Sequence, residues 1–133
     1  MVVKNILAVF IGGAVGTLLR YAITVSTVEI AFPLGTLFVN LVGSFVLGTF
    51  TGWMMRREGK EYIKVGFGTG LCGGFTTMST LAADAFMLEA QSTIFITTIY
   101  LFSSIVGGLL FAFLGLLLGH SLSKKHLASG LNS

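Results

Sequence analysis

The segment GFGTGLCGGFTTMST, residues 66–80, combines glycine, threonine and serine inside a long apolar stretch of the chain. Glycine costs about 1 kcal/mol per position relative to alanine in a helix. Serine and threonine hydroxyls also compete with the helix for its backbone partners. We therefore expect a local break near residues 73–77. A flexible, glycine-rich packing helix without a break is the alternative that these residues leave open.

The composition of the whole chain indicates an integral membrane protein. Of its 133 residues, 54% are hydrophobic and 10% are charged, and the mean hydropathy is +0.94. A helix needs about 20 residues to cross roughly 30 Å of hydrocarbon, so we predict four spans at about residues 5–25, 34–55, 62–88 and 92–118. The expected fold is all-α: a single four-helix transmembrane domain over residues 1–133, with its third helix broken.

Glycines recur at i, i+4 within the predicted spans, which places small residues in a strip on one helix face. Membrane helices associate through close van der Waals contact, and such strips permit the approach. The strips are Gly12/Gly16, Gly48/Gly52, Gly66/Gly70/Gly74 and Gly115/Gly119.

A break in the third span predicts an ion site. Non-helical backbone survives at membrane depth only where it is buried in protein or lines a polar cavity. Carbonyls that end the first half-helix favour a cation, whereas N–H groups that begin the second favour an anion.

The polar side chains that we place at membrane depth carry no charge. Neutral hydroxyl and amide donors suit a small, strongly hydrated anion, because they replace its water shell without trapping it. Aromatic ring edges carry positive quadrupole and can supplement such a path, which makes Phe75 and Tyr100 candidates. The polar set is Asn40, Ser44, Thr69, Ser79, Thr80, Tyr100, Ser103 and Ser104.

Three patterned segments occur in order along almost the whole chain. The first is GGAVG at residues 12–16, followed by Leu19-Arg20-Tyr21. The second is PLGTL at residues 33–37, continuing through NLVGSF at 40–45 to Gly48, and the third is the segment 66–80. With these motifs the chain resembles the Fluc/CrcB family of fluoride channels.

The resemblance implies an antiparallel dimer with two fluoride pores and a structural sodium ion at its centre. By position, the backbone carbonyls of Gly73 and Thr76 would hold the sodium. The pore would be lined by Asn40, Phe75, Ser79, Thr80, Tyr100 and Ser104. The implied function is that of a fluoride-specific channel subunit that exports fluoride passively and lowers cytoplasmic fluoride.

The chain departs from the family at two pore positions. The usual pattern TTFSTF reads TTMSTL at residues 76–81, so Met78 and Leu81 replace both phenylalanines. Neither side chain has the polarised ring edge that contacts an anion. A non-conducting or partner subunit of a heterodimeric fluoride channel is therefore an alternative function.

A small multidrug exporter is a further alternative, since it also has four short spans. Such proteins need a glutamate within the first span, whereas the acidic residues here fall at or near predicted span ends: Glu29, Glu58, Glu61, Asp84 and Glu89. We expect no enzyme activity, because no metal-ligand cluster or nucleophile–base pair is found and His120 and His126 lie at or beyond the last span.

The basic residues predict one orientation in the cell (inner or plasma) membrane. Four spans place the N-terminus, the second connection and the C-terminus on one side, and the opposite side holds only Arg20. The positive-inside rule then predicts that both termini are cytoplasmic. The expected partners are the lipid bilayer, fluoride, and a second copy or an oppositely oriented homologue, but not nucleic acid. The residues on the basic side are Lys4, Arg56, Arg57, Lys60, Lys64, Lys124 and Lys125.

Overall fold

The computed structural model describes residues 1–27, 32–55 and 59–130, with only the backbone at 125–130. All regular secondary structure in these ranges is helical. Four charged residues used in the predictions lie outside them: Glu29, Arg56, Arg57 and Glu58. The elements are α1 (Val2–Ser26), α2 (Leu34–Met54), α3 (Glu61–Val65), a π-helical segment (Gly66–Cys72), α4 (Gly73–Phe75), α5 (Ser79–Gln91) and α6 (Ile94–Gly130).

Three of the described helices are long and apolar enough to cross a membrane: α1, α2 and residues 94–124 of α6. Their outward faces carry large exposed apolar side chains, such as Phe10, Phe102 and Leu109. Water would disfavour so large an apolar surface, whereas lipid tails solvate it. The prediction of an all-α, multi-pass membrane protein is confirmed.

The last helix is longer than predicted. We expected the fourth span to end near residue 118, but α6 continues to Gly130, over 37 residues or about 55 Å of helix. No proline follows residue 118 to stop it. His120, predicted to lie at or beyond the end of the last span, is half-buried in this helix beside Gly52.

The region between residues 61 and 91 consists of short helical pieces. Helix α3 passes into the π-helical segment, and α4 ends at Phe75. Thr76 is extended, with φ −78° and ψ 158°, and regular helix resumes at Ser79. Wider i→i+5 turns are found mostly as short insertions, and here they coincide with the glycine-rich residues 66–72.

Two close helix pairs form the body of the protein: α1 with the π-helical segment, and α2 with α6. Both pairs meet at the predicted glycine strips. A Cβ added to Gly12 would collide with the Gly66 carbonyl oxygen, and one on Gly48 would collide with that of Ala112. The backbones of each pair therefore touch directly, as small residues allow.

Helix α5 covers a small buried core. Leu81, Ala85 and Leu88 project from α5 onto Tyr100 of α6, which is fully buried. The ring of Phe32 meets the Tyr100 ring edge to face, with centroids 5.6 Å apart. This core positions α5 directly after the non-helical residues 76–78.

Candidate ion-binding site

The side chain of Asn40 joins α2 to the interruption between α4 and α5. Its Nδ2 donates to the carbonyl oxygen of Thr77 at 3.0 Å, and its Oδ1 accepts from the Thr77 backbone N–H at 2.8 Å. Both residues are buried. The amide therefore satisfies a peptide unit that helical hydrogen bonds do not, which buried backbone requires.

Two hydrogen bonds at the interruption deprive two carbonyl groups of their helical partners. In a continuous helix the N–H of Thr77 would bond the Gly73 carbonyl, and that of Thr80 would bond the Thr76 carbonyl. Instead, Thr77 donates to Asn40, and the N–H of Thr80 donates to the Thr77 hydroxyl at 3.1 Å. The carbonyls of Gly73 and Thr76 thus lack the partners that a helix would supply.

Hydroxyl groups cluster immediately after the freed carbonyls. The Thr77 hydroxyl lies 3.0 Å from that of Thr80 and 3.3 Å from that of Ser79. Arg20 of α1 donates from a terminal guanidinium nitrogen to the Thr80 hydroxyl at 3.4 Å. The start of α5 is therefore lined by neutral donors with one cation at their edge.

Helix α6 contributes two of the predicted residues. The Ser104 hydroxyl is buried and lies 3.5 Å from Nδ2 of Asn40, which extends the network from α2 to α6. The Tyr100 hydroxyl donates to Oδ2 of Asp84 at 3.1 Å. Tyr100 is therefore tied to α5, one turn from Ser104 on the same helix.

The three predicted apolar positions have different environments. Phe75 is half-buried, and a Cβ added to Gly43 of α2 would lie 3.0 Å from its ring. Met78 is 71% exposed, whereas Leu81 is 2% exposed and belongs to the core under α5. Only Met78 among them presents most of its side chain to the outside of this chain.

The structure thus brings Asn40, Ser79, Thr80 and Ser104 into one hydrogen-bonded network. Sequence reasoning missed its centre, Thr77, although Thr77 lies within the decisive segment. It also assigned no role to Arg20 or Asp84. An aspartate near the end of one predicted span, and an arginine near the end of another, were the available signals.

Comparison with known proteins assigns the chain to a family. Residues 7–116 match the family described as CrcB-like protein, Camphor Resistance (CrcB). The chain is 47% identical over 123 residues to fluoride-specific ion channel FluC 2 of Halalkalibacterium halodurans, covering 92% of this chain and 91% of that protein. It is 42% identical over 120 residues to FluC 2 of Bacillus licheniformis, covering 90% of each. It is 37% identical over 124 residues to FluC 2 of Bacillus subtilis, covering 93% and 94%. The chain belongs to the CrcB-like protein family.

Proposed function

We propose that this chain is a subunit of a fluoride-specific ion channel that lets fluoride leave the cytoplasm passively. The observation that carries the proposal is the uncharged donor network at the interruption, where Asn40, Thr77, Thr80 and Ser104 are hydrogen-bonded at a site between apolar helices. The names of the relatives supply the identity of the anion. This family assignment favours a channel over a small multidrug exporter.

Fluoride is small and holds its water tightly, so a pore must offer substitutes for that water. Hydroxyl hydrogens of Ser79, Thr80 and Ser104 can turn toward an anion, because a hydroxyl rotor is not fixed by its present partner. None of these groups is charged, so each binds the ion weakly enough to release it. Arg20, beside Thr80, raises the local anion concentration at one end of the path.

We further propose that residues 61–91 cross the membrane in addition to α1, α2 and α6. They would form the third span in chain order, a transmembrane helix broken at residues 76–78. Their helical pieces together match the length of a span. The broken helix would lie at the centre of an antiparallel dimer with two pores. The large exposed apolar faces of this chain are compatible with cover by lipid and by a second subunit.

A sodium ion at the dimer centre is part of the same proposal. The carbonyls of Gly73 and Thr76 fit such an ion, because their helical partners are bonded elsewhere and sodium prefers oxygen ligands. The ion would supply structural cross-linking between subunits. Within this chain, the hydrogen bonds of Asn40 and Thr77 would prepare the site, because they keep both carbonyls out of helical hydrogen bonds.

One observation favours a second candidate function, that of a partner subunit in a heterodimeric fluoride channel. Met78, at a position where a phenylalanine is expected, is 71% exposed, and Leu81, at the other, is buried in the core. If the pore requires phenylalanine rings at the positions of Met78 and Leu81, a homologous subunit would have to supply them. The two subunits would be fixed in opposite orientations, this one with its termini in the cytoplasm.

Fluoride efflux from liposomes tests the proposal. The purified chain should release fluoride from loaded vesicles while retaining chloride, which is the matched control for anion leakage. Release only after addition of a co-encoded homologue would select the partner-subunit function. Release of neither anion under both conditions would refute a fluoride channel.

A further inference from the structure

An amphipathic cleft of about 700 Å³ lies where the start of α1 meets the start of α3. Its floor is apolar, with Leu7, Ala8 and Ile11 of α1 along one side. Its mouth is polar. The polar lining residues are Lys4, Asn5, Lys60, Glu61 and Tyr62.

The mouth of the cleft carries net positive charge. Among the described residues that line the cleft, Lys4 and Lys60 face a single carboxylate, Glu61, and neither lysine forms an ion pair with any of them. Glu61 lies in the first turn of α3, where the helix dipole stabilises its negative charge. The two ammonium groups are therefore available to an external anion.

The depth of the cleft places it at a membrane surface. Lys4 lies in the first turns of a helix long enough to cross the bilayer, and the apolar floor follows it one to two turns further in. Tyr62 is 36% exposed, with the Lys60 ammonium 5.9 Å from its ring centroid. Tyrosine and lysine at a helix end are typical of the headgroup level.

From this arrangement we propose that the cleft binds one anionic phospholipid. The headgroup phosphate lies between Lys4 and Lys60 and accepts from the Asn5 amide. The acyl chain follows Leu7 and Ile11 toward the membrane centre. Charge at the mouth combined with an apolar floor selects an anionic lipid over a zwitterionic one, and basic pockets between helices bind such headgroups. The volume is in the range of ordinary ligand sites.

Native mass spectrometry of the full-length protein tests this proposal. Equal amounts of phosphatidylglycerol and phosphatidylcholine with identical acyl chains are added in detergent. We expect preferential retention of one phosphatidylglycerol. Each of Lys4→Gln and Lys60→Gln should weaken that retention about fivefold, and the double variant about 30-fold. Lys64→Gln is the matched control, because it removes the same charge from nearby α3 at a residue that does not line the cleft.

A further variant tests the acyl-chain part of the cleft without changing the charges at its mouth. Ile11 is 61% exposed, so Ile11→Trp fills the cleft without disturbing a packed core. It should reduce phosphatidylglycerol retention while the thermal unfolding midpoint stays unchanged. Equal retention of both lipids, an equal loss in Lys64→Gln, or displacement of the lipid by added inorganic phosphate would each overturn the proposal. None of these measurements depends on fluoride transport, so they test lipid binding independently of the proposed channel function.

Discussion

The side-chain amide of Asn40 makes a two-point hydrogen bond with the peptide groups of Thr77, donating at 3.0 Å and accepting at 2.8 Å. An aspartate at this position keeps the acceptor and loses the donor. In Asn40→Asp, a carboxylate oxygen would then face the Thr77 carbonyl. We expect a loss of about 1–3 kcal/mol in the free energy of unfolding and the loss of fluoride efflux.

Ser104→Ala is the control for the stability effect alone, since it removes only the 3.5 Å contact on the other side of the same amide. Its stability should change by less than about 1 kcal/mol. Thermal unfolding in detergent and liposome efflux measure the two effects. Normal folding and normal efflux in Asn40→Asp would show that neither the pairing nor the predicted pore role of Asn40 matters.

The Thr77 hydroxyl caps the start of α5. Thr77→Val preserves the shape of the side chain but removes the acceptor for the Thr80 N–H, and we expect a loss of about 1 kcal/mol in stability. Thr98→Val is the control, because that exposed hydroxyl bonds only to Ile94 within its own helix. If the two variants shift the thermal midpoint equally, the capping role is absent.

Neighbouring glycines in α1 should respond oppositely to alanine. A Cβ on Gly12 would collide with the Gly66 carbonyl oxygen and lie 2.9 Å from the Leu71 nitrogen, whereas one on Gly13 finds its nearest contact at 3.9 Å. Gly12→Ala should therefore lower stability by about 1–3 kcal/mol. Gly13→Ala should be neutral or gain up to about 1 kcal/mol from helix propensity. Equal shifts in thermal midpoint would contradict direct backbone contact at Gly12.

Sodium should stabilise the folded protein if the freed carbonyls hold it. The thermal midpoint should rise with sodium concentration, because a ligand that binds only the folded state stabilises it by mass action. N-methylglucamine at equal ionic strength is the control for general salt effects. Identical midpoints in the two salts would remove the sodium site from the proposal, while the donor network would be unaffected.

Orientation can be tested independently of transport. A cysteine-reactive, membrane-impermeant label applied to a C-terminal tag should react from the cytoplasmic side only. The basic residues on that side, including Lys4, Lys60 and Lys64, give the physical reason. The native Cys72 is buried and does not compete for the label. Equal labelling from both sides would instead favour an antiparallel homodimer of this chain.

Much of the fold was predictable because apolar length and glycine spacing are direct physical signals. Residues 34–55 were predicted as a span, and α2 runs Leu34–Met54. The break of the third span was expected near residues 73–77, and the non-helical residues are 76–78. That these residues interrupt a membrane-spanning helix stays a prediction. The π-helical turns at Gly66–Cys72 were not foreseen, because glycine content indicates weak helix without specifying which wider turn replaces it.

The site was predictable by residue type more than by role. Asn40, Ser79, Thr80 and Ser104 were chosen as neutral donors, and the structure connects them. Thr77 connects them, because its peptide groups bond Asn40 and its hydroxyl bonds Ser79 and Thr80. Sequence carries little information on which peptide group a side chain will reach. Tyr100 was expected beside an anion, whereas its hydroxyl here donates to Asp84. The pore roles and the sodium ligands stay predictions.

The length of α6 has a practical consequence for imaging. Its 37 residues exceed the span of the hydrocarbon core, which is about 30 Å thick, and the helix is still continuous at Gly130. A soluble helical domain fused in register to this end would share one uninterrupted helix with the membrane part. A protein of 14.1 kDa is too small to align in electron micrographs by its own features. The fused domain would serve as a fiducial for particle alignment. In a dimer, two such domains on the same side of the membrane would indicate parallel subunits, and domains on opposite sides would indicate antiparallel subunits.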